Sequence, residues 1–171
     1  MYLDQIEGFD VRKATNQDCD EVIKLLKVVA LWLQNNEIDQ WGFLLAGGDD
    51  EEIKQAIANN ETYVMERDEQ IVATFTLLSE QSEWDMHIWG DDPDSNSLYL
   101  HRLAIISSYM NNGLGKDILA WIENNVTDKT HLRLDCVADN TKLNDFYKDH
   151  HFELVGLTDG HSQLQKRIKA D

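Results

Sequence analysis

Residues 108–116, Ser108-Tyr109-Met110-Asn111-Asn112-Gly113-Leu114-Gly115-Lys116, have the types and spacing to hold an anion. Gly113 and Gly115 keep Cβ atoms away from the main chain, so a phosphate can approach the amides. A helix opening at this point leaves its first N–H groups without intrahelical partners, and its macrodipole adds partial positive charge there. A pyrophosphate held by backbone donors is the expected ligand. Lys116 either reaches a phosphate or stays solvated. Cys19 and Cys136 lie far apart, with no CxxC and no paired Cys/His spacing, so no metal and no disulfide framework is expected. Cys136 sits in an apolar alternating run and reads as a core residue.

The elements that must position this turn follow from period. Leu98–Ile106 reads as a strand entering it, and Leu114–Val126 as an amphipathic helix leaving it. Earlier, Phe9–Ala14 is a strand, and Thr15 can cap a helix carrying Val22, Leu26, Val29 and Leu33 at helical spacing. Asp49 with Glu52 has the pattern of a capping box for a short helix through Ala58. Thr62–Glu66 and Ile71–Leu78 are strands around a polar turn. Residues 80–96, with Trp84, Trp89 and the only proline, Pro93, read as a surface excursion. His131–Val137 alternates with period two, Thr141–His150 is a short helix, and Phe152–Leu157 with Gln163–Ile168 forms a last antiparallel pair. The order is β-α-α-β-β-β-α-β-α-β-β. Neighbouring strands imply hairpins, and the helical crossover between Leu98–Ile106 and His131–Val137 implies a parallel pair. The expectation is an α/β fold, a single domain over residues 1–171, with a mixed six- to seven-stranded sheet and helices on both faces.

Composition narrows the partners. The 171 residues are 42% hydrophobic, enough for a sizeable core. Thirty-two acidic against 15 basic residues give a formal charge of −17. Nucleic acid and anionic membrane surfaces are poor partners for such a chain, whereas a cationic small molecule or basic peptide suits it. Solubility alone also accounts for the charge. Met1–Asp10 is mixed and acidic, and no apolar run approaches membrane-spanning length, so the reading is cytoplasmic.

Two segments together carry a family likeness. Met110-Asn111-Asn112-Gly113-Leu114-Gly115 resembles the Arg/Gln-x-x-Gly-x-Gly/Ala signature of the GNAT acetyltransferase superfamily. The second segment is a strand followed by Asn140, a helix bearing Phe146-Tyr147, and His151-Phe152, where the family has Gly-Phe. The likeness covers Phe9 to Lys169. Met110 stands where Arg or Gln is usual, and His151 where Gly is usual. His151 brings strain if that position requires positive φ.

The resemblance implies a GNAT-like fold that binds acetyl-CoA as co-substrate between two splayed parallel strands and transfers the acetyl group to a primary amine of a small molecule or peptide. It implies the pyrophosphate on the amides of Asn111 to Lys116, and the pantetheine alongside the backbone of Leu103, Ala104 and Ile105. An N–H near Ile105 would face the oxyanion. Tyr147 would protonate the departing thiolate, a phenol being protonated at neutral pH; its alternative is a buried aromatic. Asn140 either caps the following helix, contacts the cofactor, or does both. Lys142 and Lys148 are further candidates for the 3′-phosphate. The histone-type Glu on the central strand is absent. His101 has a suitable ordinary pKa for the base, with a core histidine or a water chain as alternatives. Trp41 and Tyr99 are the substrate-binding candidates, Phe43 and Trp32 plausible walls, and Trp84, His87 and Trp89 possible covers. A homodimer fits the family's habit. Two rivals stand beside the enzyme: a non-catalytic acyl-CoA-binding module, and an unrelated dinucleotide-binding protein, which lacks an early G-x-G-x-x-G.

Overall fold

The computed structural model describes residues 5–6, 8–38, 41, 48–110, 112–126 and 128–168. Among them the elements run β1 (Gln5–Ile6), β2 (Phe9–Lys13), α1 (Cys19–Asn35), α2 (Asp50–Ala58), β3 (Thr62–Arg67), β4 (Gln70–Leu78), α3 (Glu83–Trp89), β5 (Ser97–Ile105), α4 (Leu114–Asn125), β6 (His131–Val137), α5 (Thr141–Asp149), β7 (Glu153–Thr158) and β8 (His161–Arg167). The α/β expectation holds. The strands β2 to β8 match the upper expected count, and the two-residue β1 is additional. So is α3, which occupies residues read from the sequence as a surface excursion.

The described chain forms two compact units, Met1–Thr76 with Arg102–Asn125, and Leu77–His101 with Val126–Asp171. In the first, β1, β2, β3 and β4 are consecutive antiparallel neighbours. Val22, Leu25, Leu26, Val29 and Ala30 of α1 are buried, as their helical spacing requires. They join Ile53 and Ile57 of α2, Val64 of β3, Ile71 of β4 and Ala104 of β5 in one apolar cluster. Arg12 ties β2 to the entrance of α1, pairing with Asp18 at 2.7 Å and with Glu66 of β3. Asp18 also accepts the Thr15 amide at 2.7 Å, so the cap expected from Thr15 is completed by Asp18. The Asp49 side chain makes no cap bond to α2; it faces Arg102 at 3.3 Å instead.

In the second unit β5 runs parallel to β6, with Ser97–Tyr99 beside His131–Arg133. The antiparallel pairs β6–β8 and β7–β8 complete the order β5-β6-β8-β7. β6 alternates between half-buried and buried along its length, the period-two pattern that the sequence carries. The α3 helix starts from a capping box in which Ser82 and Asp85 satisfy each other's amides. Asp85 and Ile88, three residues apart, share its buried face.

Candidate functional site

The first unit holds the glycine turn. Beyond β5, Ser107–Tyr109 forms a single 3-10 turn, and the Met110 amide donates to Ser107 at 3.2 Å. Gly113 has φ 79°, in the left-handed region, and its carbonyl accepts the Asp117 amide at 3.1 Å to start α4. A Cβ at Gly113 would meet nothing within 4 Å, so the need for glycine here is one of backbone conformation and open approach rather than of packing. Leu114 is buried and anchors the helix, while Asn112, Gly113 and Lys116 are exposed. The turn that opens α4 is therefore exposed at Asn112 and Gly113, just ahead of the buried Leu114. Asn111 lies outside the described residues.

Met110 is half-buried. It packs against the apolar cluster of the unit, as does Trp41. Trp41 has φ 64°; Phe43 lies outside the described residues. Ala104 is buried in the same cluster, and Leu103 and Ile105 are half-buried. Arg102 sits within β5 at φ 50°. A left-handed residue inside a strand breaks period two, so the face shared by Tyr99 and His101 does not extend to Leu103 by simple alternation.

The second unit holds Tyr147, and the end of α5 explains its placement. Past the last helical residue, His151 lies at φ 72°, its amide donates to Lys148 at 3.1 Å, and the Phe152 amide donates to Tyr147 at 3.0 Å. This is a Schellman motif, with its usual apolar contact between the residues at either end. Here that contact is Tyr147 on Phe152, ring centroids 5.3 Å apart and nearly perpendicular. Phe146 meets Tyr147 in the same way at 5.2 Å. The Phe-Tyr and the later Phe thus belong to one local structure, and His151 occupies its left-handed position, as its replacement of Gly anticipates. Tyr147 is 5% exposed. Burial, with smaller effects of Cys136 and Asp135, raises its phenol above the ordinary value, so it is fully protonated at neutral pH. Burial likewise pushes the Cys136 thiol up to about 12, which suits the core role expected for it.

Asn140 caps α5: its side chain accepts the Leu143 amide at 3.2 Å. Asn144, buried, donates to the carbonyls of Val137 at 3.1 Å and Asn140 at 2.8 Å, fixing the turn from β6 into the helix. Tyr99 is 2% exposed. Its hydroxyl accepts from Arg133 at 3.0 Å, and Arg133 lies over the Trp89 ring at 4.6 Å. Tyr99 and Trp89 thus pack around Arg133.

His101 faces a partner that sequence reading missed. Its Nε2 lies 2.9 Å from Asp85 Oδ1 and 3.1 Å from Oδ2, and the two side chains are 15% and 1% exposed. A second His–carboxylate group stands on β6 and β8. Trp84 Nε1 donates to both oxygens of Asp135 at 3.1 Å, and His161 Nδ1 is 3.1 Å from Asp135 Oδ2, at an angle outside hydrogen-bond geometry. Burial raises the Asp135 carboxyl, opposed by the Trp84 bond and by His101 and His161. Only Ser82-x-x-Asp85, a capping-box pattern, signalled any of this in the sequence. Among the described residues no group of three or more His, Cys, Asp or Glu could hold a metal.

A family model for the acetyltransferase (GNAT) family matches residues 31–152. The uncharacterized N-acetyltransferase YesJ of Bacillus subtilis is 37% identical over 168 residues, covering 96% of this chain and 93% of that one. An acetyltransferase of the GNAT family from Listeria monocytogenes, 28% identical, superposes with a TM-score of 0.79 over 93% of this chain and 94% of its own. The PaiA N-acetyltransferase of Thermoplasma acidophilum, solved in complex with coenzyme A, shares the fold at a TM-score of 0.74, with 15% identity over 93% of this chain and 98% of its own. No helix among the described residues is long and apolar enough to cross a membrane. The glycine turn opening α4, the Asn-capped helix bearing Phe146 and Tyr147, and these matches agree, and the chain belongs to the GNAT acetyltransferase family.

Proposed function

We propose that this chain is a single N-acetyltransferase domain that moves an acetyl group from acetyl-CoA to a primary amine by direct attack. The observation that carries this reading is the left-handed, exposed Gly113 at the start of α4. It leaves the first amides of a buried-side helix open to a pyrophosphate. Asn112 to Lys116 would hold that group, Asn111 with them. The backbone of Leu103 to Ile105 would lie along the pantetheine, and an N–H near Ile105 would face the carbonyl oxygen as it gains charge.

Attack needs a neutral amine, and an alkylamine is mostly protonated at neutral pH. His101 would take that proton. The amine's electron pair then forms the C–N bond, the C–S bond breaks, Tyr147 gives its hydroxyl proton to the departing thiolate, and the second proton that nitrogen sheds on becoming an amide restores the Tyr147 phenol. A buried phenol gives up a proton reluctantly, so its transfer must accompany C–S cleavage, when basicity develops on sulfur. The acidic composition favours a cationic acceptor, a small amine or a peptide.

The test is coenzyme A release, followed by thiol detection, from acetyl-CoA with a panel of polyamines, amino acids, aminoglycosides and peptide N-termini. Amine-dependent release supports the enzyme. Acetyl-CoA binding without turnover across the panel would favour the non-catalytic module instead.

A further inference from the structure

The His101–Asp85 pair supports a more specific statement about the base than its identity. Asp85 is the third residue of α3 and is 1% exposed. Its Oδ2 accepts the Ser82 amide and hydroxyl, each at 3.0 Å, and its Oδ1 lies 2.9 Å from His101 Nε2. One carboxylate thus closes a helix cap and meets an imidazole, and each task restrains its rotamer for the other. An ionised carboxylate only accepts hydrogen bonds, so Nε2 must carry hydrogen and the lone pair of neutral His101 must be on Nδ1.

We propose that Asp85 is the positioning residue for His101: it selects the tautomer whose Nδ1 accepts the amine's proton. This rests on the reading of His101 as base. In the step, one N–H bond of the protonated amine breaks, its electron pair stays on nitrogen for attack, and the proton goes to Nδ1. The imidazolium so formed keeps Nε2–H on Asp85, whose charge offsets it. Among the described residues of this unit, Asp135 of β6 also lies near the pair, with His161 of β8 3.1 Å beyond it.

Long-range proton–nitrogen NMR of the ring nitrogens tests the assignment without any acceptor, with His101→Gln identifying the His101 signals. The wild-type protein should show the Nε2–H pattern. Asp85→Asn keeps an acceptor for Ser82 but turns an amide donor toward Nε2, and should switch the pattern to Nδ1–H. Ser82→Ala, which removes the cap and leaves the carboxylate, should keep the wild-type pattern even where it lowers stability. An Nδ1–H pattern in the wild type would overturn the proposal, and so would an unchanged pattern in folded Asp85→Asn. Should Asp85→Asn not fold, the wild-type spectrum decides alone.

With a turned-over amine, Asp85→Asn should lower kcat by about 10²–10⁴-fold at an unchanged KM for acetyl-CoA, as losing the orienting carboxylate does in base–carboxylate pairs. Asp85→Glu should recover part of the loss, whereas a purely structural role for Asp85 would lower yield or stability and leave kcat of the folded fraction intact. A His101→Ala protein with full kcat would instead overturn the base reading while leaving the tautomer assignment standing, so the two failures are distinguishable.

Discussion

At the scale of single residues, Tyr147 and His151 carry opposite lessons. Tyr147 is nearly buried, and burial holds its proton. Tyr147→Phe keeps the ring contacts with Phe146 and Phe152 and removes only the hydroxyl. Its kcat should fall by about 10²-fold or more, the scale of a general acid, while coenzyme A affinity measured by calorimetry stays within about twofold. Full activity would end the acid role. His151 is exposed and left-handed. A non-glycine residue there costs about 1–2 kcal/mol relative to the right-handed regions. His151→Gly should therefore stabilise the protein by about 1 kcal/mol, less the entropy glycine gains when unfolded. A chain of this length should then melt about 2–4 °C higher. A lower melting temperature would mean that the imidazole has a stabilising contact that outweighs the strain.

At the scale of elements, the two ends of helices matter most. The start of α4 is the proposed anion site, and Gly113→Asp adds both a left-handed Cβ and a negative charge there. Coenzyme A affinity should fall at least about tenfold, and Gly113→Ala, carrying the backbone strain without the charge, should fall between the two. Equal affinities in all three would remove the turn from the cofactor site. The start of α1 depends on Asp18, whose carboxyl the Arg12 hydrogen bond holds at about 2, against 3.8 for a free side chain. A carboxyl depressed in the folded state contributes stability that is present above pH 3.8 and is lost as pH falls toward 2. Asp18→Asn should lower stability at pH 7 and flatten the acid limb between pH 4 and 2 in denaturant titrations, roughly as the shift predicts. An unchanged acid limb would show that this pair is screened by solvent.

At the scale of the whole molecule, a formal charge of −17 is large for 171 residues. Self-repulsion destabilises a folded chain of one sign, and salt screens it. Raising NaCl from about 10 to 150 mM shortens the Debye length from about 25–30 Å to about 8 Å, and the melting temperature should rise. A fall would mean that the local ion pairs, Arg12–Asp18 among them, outweigh the global repulsion. The family could be read from the chain because its signatures are local. A glycine turn between strand and helix, and an Asn-capped helix running through Tyr147 to the Schellman turn at His151, are written in consecutive residues. So are the burial stripe of α1 and the alternation of β6. Proximity between distant segments is not. Asp85 and His101 are 16 residues apart, and nothing in either segment signals the other. Their meeting follows from the placement of Asp85 on the buried face of α3 and of His101 on β5. Likewise nothing in the sequence signals that Met110 packs against the apolar cluster or that the Tyr99 hydroxyl accepts from Arg133. The sequence by itself determined the family, the α/β class, the order of the elements other than β1 and α3, and the left-handed turn at Gly113, since local backbone preference and hydrophobic period suffice for those. Which side chains face one another, and hence which imidazole nitrogen is free, was decided only by the tertiary structure, because side-chain contacts between distant segments exist only once the chain has folded.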